Sequence, residues 1–181
     1  GSNWTMDMMP MRATFDRGFI IDPYTGNYWA HRIEKAEVVA KEGLPIGKTL
    51  DWVDLDFASE IKVPGDAWAK WDPVAQKFLT VDEVYPEGLT ATRMSRMYYT
   101  DVYSDVTWHD GSKWHIVDAL LPFIMDIDRG YPESPFYDKS AEAGLQTFLN
   151  SFRGLKIISV DPLVYEMYSD SWSLDAEYNI S

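Results

Sequence analysis

The apolar positions change period several times along the chain, and each period predicts an element. In "KTLDWVDLDF" (residues 48–57), Leu50, Trp52 or Val53, Leu55 and Phe57 alternate with Asp51, Asp54 and Asp56. That is the period of two of a half-buried strand, with one slip that fits a bulge. "RIEKAEVVAK" (residues 32–41) alternates more loosely, and its β-branched Val38-Val39 and the Gly43–Pro45 stop favour a strand over a helix. The linking "EGLPIG" predicts a hairpin between these two segments. "AWAKWDPVAQKFLTV" (residues 67–81) reads as a further hairpin around Asp72-Pro73. Pro86 and Gly88 mark a loop over residues 85–93, and "MSRMYYTDVYSDVTW" (residues 94–108) opens either as a short helix or as a strand, with a helix as far as Tyr98 or Tyr99 favoured. Residues 1–31 read as irregular. Within them "DPYTG" is a turn, where Pro23 presets φ and Gly26 allows a positive one.

The last third is more sharply periodic. "HIVDALLPFIMDID" (residues 115–128) puts Ile116, Leu120, Phe123, Ile124 and Ile127 on one helical face. Pro122 inside it lacks an N–H donor and is expected to kink the helix. "RGYPESPFYD" is a proline-rich loop. In "SAEAGLQTFLNSFRG" (residues 140–154), Leu145, Phe148, Leu149 and Phe152 follow helical spacing, with Ser140 as N-cap, Arg153 in the last turn and Gly154 just past the end. "LKIISVDPLVYEMYS" (residues 155–169) predicts two strands about Asp161-Pro162. Together these elements predict an α+β fold, an antiparallel sheet with two principal helices, in a single domain over residues 1–181.

Composition narrows the function. The 181 residues are 46% hydrophobic, enough to fill a core, and 15% aromatic, a surplus that fits a protein gripping ligands or partners and equally a core rich in aromatics. A net charge of −13 without a basic run speaks against a nucleic-acid partner, whose phosphates need clustered Lys and Arg. With no cysteine, disulfide, zinc-thiolate and thiol-nucleophile chemistry are excluded. No apolar run in these residues approaches the ~20 residues of a membrane span, and none of them is read as a signal peptide. The abrupt start "GSNWTMDMMP" and end "DAEYNIS" are read as those of a segment excised from a larger protein.

The densest polar stretch is "VTWHDGSKWHIVD" (residues 106–118). A metal site there would draw on His109, Asp110, His115 and Asp118. Zinc favours histidines at fixed helical spacing, whereas His109 and His115 are separated by the turn-forming Asp110-Gly111. The favoured reading is structural: "VTW" ends a strand, "HDGSK" turns, and Asp118 sits in the first turn of a helix, its charge facing the N-terminus. No nucleophile elbow and no phosphate-cradling glycine loop occurs. Trp68 and Trp71 offer a stacking surface for sugars or cover for a core, and the core is favoured.

The order of elements, a strand, "WHDG", a helix with an early Asp, a second helix and a hairpin on "VDPL", resembles the family 5 extracellular solute-binding proteins, the peptide/nickel type that serve ABC transporters. Trp108, Asp110 and Gly111 match that family's turn, and Asp118 its helix-start acid; "SPFYD" and "GLKIISVDPLVYEMY" are also similar. His115 stands where the family usually has a capping Thr, Lys113 replaces its Pro, and "YYTDVYSDV" replaces its usual strand. The resemblance covers residues 100–170, follows more loosely over 12–65, and leaves 66–99 as an insertion. It implies the small β-rich domain of a two-lobed protein, periplasmic or extracellular, with a peptide or other small solute and an ABC permease as partners. It implies no catalytic residue, metal or cofactor, and membrane association only through an anchor or the permease. The alternatives are a carbohydrate-binding module of a secreted enzyme, resting on the Trp pair, and a metal-assisted hydrolase using His109 and His115.

Overall fold

The computed structural model describes residues 17–180, together with Met6. It is a mixed, mostly sheet domain. Its strands are β1 (Phe19–Ile21), β2 (Tyr28–Ala30), β3 (Ile33–Lys41), β4 (Val53–Ala58), β5 (Ile61–Val63), β6 (Trp68–Asp72), β7 (Lys77–Thr80), β8 (Leu89–Ala91), β9 (Arg93–Tyr99), β10 (Phe152–Ser159) and β11 (Val164–Ser169). Among the described residues there are two one-turn helices, α1 (Val81–Val84) and α2 (Val102–Asp105), and two long ones, α3 (Ile116–Asp128) and α4 (Glu142–Ser151). The main sheet runs β4-β3-β9-β11-β10-β6-β7, and β1-β2 and β5-β8 form small two-stranded sheets. The antiparallel α+β expectation therefore holds in outline, with one exception.

That exception is the pairing of β3 with β4, which is parallel: Ala36 lies opposite Val53 and Lys41 opposite Ala58. The expected hairpin does not form because residues 42–52 are tied elsewhere. Gly47 N–H donates to Leu174 O at 2.9 Å, and Ala176 N–H donates to Gly47 O at 2.7 Å. The detour gives β4 room to enter beside β3 in the same direction, as parallel pairs require. The expected bulge in the aspartate-rich segment is absent too, since the slip falls at Trp52-Val53, where the strand begins.

The segment expected to start as a helix, Met94 to Tyr98, is instead central strand β9, hydrogen-bonded to β3 on one side and β11 on the other. The loop expected over 85–93 contains β8, paired with β5. Residues 19–30, read as irregular, form the β1–β2 hairpin around the expected turn. There Gly26 has φ +76° and Asp22 accepts from Tyr24 N–H at 2.9 Å; the rest of that reading, on residues 1–16, lies largely outside the described residues. The hairpins at Asp72-Pro73 and Asp161-Pro162 form as expected.

Ser140 does not cap the last helix. It sits in a 3-10 turn (Lys139–Ala141) that leads into α4, where Asp138 accepts from its N–H at 2.8 Å. Nor is Gly154 a helix-terminating residue: α4 ends at Ser151, and both Arg153 and Gly154 belong to β10. Glycine is needed there for close approach, because a Cβ would lie 2.9 Å from Val63 Cγ1.

Among the described residues, three apolar clusters hold the fold. One face of the sheet, through Ala36, Val38, Val53 and Met97, packs under Ala176 and Ile180 of the C-terminal 3-10 helix Ala176–Ile180. The other face, through Met94 and Tyr168, packs against Ile61, Val63 and Ala91. Trp71, Ile127 and Leu145 join the β6–β7 hairpin to both long helices.

Candidate functional site

Trp108, Asp110, Gly111 and Asp118 meet in one joint between α2 and α3. Trp108 N–H donates to Ser112 O at 2.8 Å, and Gly111 adopts φ +87°, which glycine reaches without strain. Asp110 accepts from Ser112 N–H at 2.9 Å and from Ser112 Oγ at 2.7 Å. Those bonds, the hydroxyl first, hold the Asp110 carboxyl below the usual aspartate range. Asp118 Oδ2 accepts from His115 N–H at 2.7 Å and from the Trp108 indole Nε1 at 3.2 Å. Asp118 thus closes the helix start and clips the turn to it, as its expected place in the first turn allows. His115, a poor cap by residue type, is nonetheless the N-cap: its Nδ1 accepts from Val117 N–H at 3.3 Å. The "VTW" segment is not a strand end, for Thr107 makes only an isolated bridge to Lys113. Lys113 Nζ also donates to Ser104 O at 3.0 Å and so ties the joint to α2.

Asp110, His115 and Asp118 are therefore engaged in holding a bend, whereas His109 meets the Trp108 ring edge-on, with centroids 6.5 Å apart. His115 Nδ1 is engaged in capping, and no group of three or more His, Cys, Asp or Glu side chains lies in metal-holding proximity among the described residues.

Trp68 and Trp71 sit on one face despite their odd spacing, because β6 carries a register shift between Trp68 and Lys70. Phe78 stacks on Trp68 with centroids 4.7 Å apart and meets Trp71 edge-on at 4.9 Å. Trp71 is buried, and its Nε1 donates to Asp128 Oδ1 at 2.7 Å. Asp128, itself buried, also accepts from Gln76 Nε2 at 3.0 Å and from Ser134 Oγ at 2.5 Å.

Helix α3 is thus pinned at both ends, by Asp118 at the start and Asp128 at the finish. Its middle roofs an apolar cleft of about 170 Å³ over β9, β10 and β11. Tyr99, Trp114, Leu120, Phe123, Ile157 and Tyr165 are among its walls. The hydroxyls of Tyr99 and Tyr165 lie 3.4 Å apart, and burial raises the pKa of both phenols. On its solvent side the same helix exposes Val117, Leu121 and Met125, each about half exposed and four residues apart.

The opposite face of the sheet carries a polar row in register: Asp54, Glu37, Arg96, Glu166 and Lys156 lie side by side on β4, β3, β9, β11 and β10. Arg96 Nε donates to Glu166 Oε1 at 2.8 Å and Nη1 donates to Glu37 Oε2 at 2.9 Å. Tyr98 and Tyr168 donate to Glu37 and Glu166 at 2.7 and 2.6 Å. Arg96 and the two hydroxyls thus engage Glu37 and Glu166 and tie β3, β9 and β11 together at the centre of the row, while Asp54 at its end is exposed.

Sequence reasoning found the joint but missed the cleft and the polar row. Both depend on which strands become neighbours, and only the aromatic surplus hinted at either. Compared with known proteins, the chain matches no family model and no curated sequence.

Proposed function

We propose that the chain is the small domain of an extracytoplasmic solute-binding protein, which captures peptides or similar small solutes and hands them to an ABC permease. The observation that carries this reading is the joint. Trp108, Asp110, Gly111 and Asp118, the residues that resemble the family 5 signature, act on one another and on the backbone of a single bend. In this reading they are structural, and the domain has no catalytic, metal or cofactor role. The stripe of Val117, Leu121 and Met125 is further support, since a half-exposed apolar row on a helix is a surface that a neighbouring lobe would cover. The parent protein works by lobe closure, which buries the solute and shifts the equilibrium towards the closed form. Its place is the periplasm or the outer cell surface, with membrane association through an anchor or the permease. The carbohydrate-binding alternative gains nothing from Trp68 and Trp71, one of which is buried and the other covered on one face by Phe78.

The test is made on the native gene product. Its intact mass should correspond to roughly three times this chain, at the ~100–200 residues usual for a folded domain. A panel of short peptides should raise its melting temperature while soluble sugars leave it unchanged. A product of this chain's own size, stabilised by sugars and not by peptides, would overturn the reading.

A further inference from the structure

We infer that the cleft under α3 is a preformed binding site for one small, uncharged aromatic ring. This does not rest on the transport reading and can fail or hold without it.

A void beneath a surface helix ordinarily closes, because its walls lose dispersion contacts and the helix is free to settle. Here it cannot settle freely. The tertiary hydrogen bonds of α3 lie at its two ends, where Asp118 holds Trp108 and Asp128 holds Trp71, Gln76 and Ser134. Below the span, the floor belongs to β9, β10 and β11, whose positions are set by their ladders. Trp114 at one end of the cleft is itself braced edge-on by Tyr103, with centroids 5.1 Å apart. The gap is thus held open by its supports.

Its chemistry selects the occupant. The volume of about 170 Å³, in a cleft partly open to solvent, is close to that of an engineered apolar cavity of ~150 Å³ that takes up benzene, so there is room for one ring. The lining carries no charged side chain, which excludes ions and zwitterions. Four of the walls, Tyr99, Trp114, Phe123 and Tyr165, are aromatic, so a ring can meet them in offset or edge-on geometry. Ala119, the smallest side chain of the lining, is exposed and marks the mouth.

The probe is fluorobenzene, added to the 181-residue chain and followed by fluorine NMR. Saturable broadening and a shifted bound signal are expected. Methyl resonances of Leu120, Ile157, Leu163 and Met167 should move, while those of Ile61 and Val63, in the cluster on the other face of the sheet, should not. Ala119→Phe should fill the mouth and abolish the bound signal, and Val74→Ala, on the exposed β6–β7 turn, should keep it. Absence of saturable binding by the unmodified chain would overturn the inference, and so would methyl shifts confined to other clusters. Because the methyl map needs no variant, the test stands even if Ala119→Phe fails to fold.

Discussion

Asp128 is the end-post of α3, and its loss has a size that can be worked out beforehand. The carboxylate is 3% exposed and accepts from Trp71 Nε1, Gln76 Nε2 and Ser134 Oγ. In Asp128→Ala the Trp71 indole N–H, on a side chain only 5% exposed, has no acceptor and no ready water. Leaving a buried donor unsatisfied costs about 1–3 kcal/mol. Ser134 keeps its acceptor bond from Phe136 N–H, 3.0 Å, but loses the acceptor for its hydroxyl, at roughly 1 kcal/mol. Gln76 lies on an exposed turn and can turn to water, so its share is small. The expected total is about 3 kcal/mol, which for a chain of this size lowers the melting temperature by roughly 6–12 °C. Asp128→Asn keeps a carbonyl for Trp71 and should lose only about 1 kcal/mol. Urea denaturation of the three proteins, with Trp71→Phe to complete a double-mutant cycle, measures these terms. An alanine variant within ~0.5 kcal/mol of the parent, the range of an ordinary surface change, would refute the claim that this carboxylate holds the helix end.

Further predictions follow from the same geometry. Gly154→Ala puts a methyl 2.9 Å from Val63 Cγ1 between β10 and β5, and should cost about 1–3 kcal/mol in the urea midpoint. Asp118→Ala removes the capping box and the link to Trp108, and should cost about 1 kcal/mol and change the Trp108 environment in near-ultraviolet dichroism. Glu177 is buried, accepts from Thr49 and Leu50 N–H, and faces Asp175, so burial first and that neighbour second raise its pKa. The folded state therefore holds this proton more tightly than the unfolded chain. Its stabilisation is full in acid and is lost as pH rises through the raised value. Glu177→Gln, which mimics the protonated form, should match the parent in acid and exceed it in stability at neutral pH. A constant difference between the two across that range would contradict the assignment.

What could be read in the sequence was what is local. The turns at Asp22-Pro23, Asp72-Pro73 and Asp110-Gly111 form because Asp side chains and glycines satisfy the chain within a few residues. The two long helices show because their apolar spacing is sustained. Strand β9 did not show because it is central: Met94 packs on one face and Met97 on the other, which erases the alternation that marks a strand. The parallel entry of β4 was hidden because its cause, the pairing of Gly47 with Asp175, joins residues far apart in sequence. Gly154 looked like a helix end because glycine serves both there and at close approaches, and only Val63 decides between them. The candidate site divides in the same way. The joint lies within residues 104–118 and could be read, whereas the cleft needs β9, β10, β11 and α3 in register before it exists.

The most direct measurement is isothermal titration of a short peptide into the native gene product and, side by side, into this 181-residue chain. If the chain is the small domain of a two-lobed solute-binding protein, as proposed, saturable heat is expected with the whole protein and little or none with the chain alone, because the solute would then be gripped between lobes that the chain by itself does not form. Tight peptide binding by the 181-residue chain, or none by the whole protein across a broad peptide panel, would contradict it.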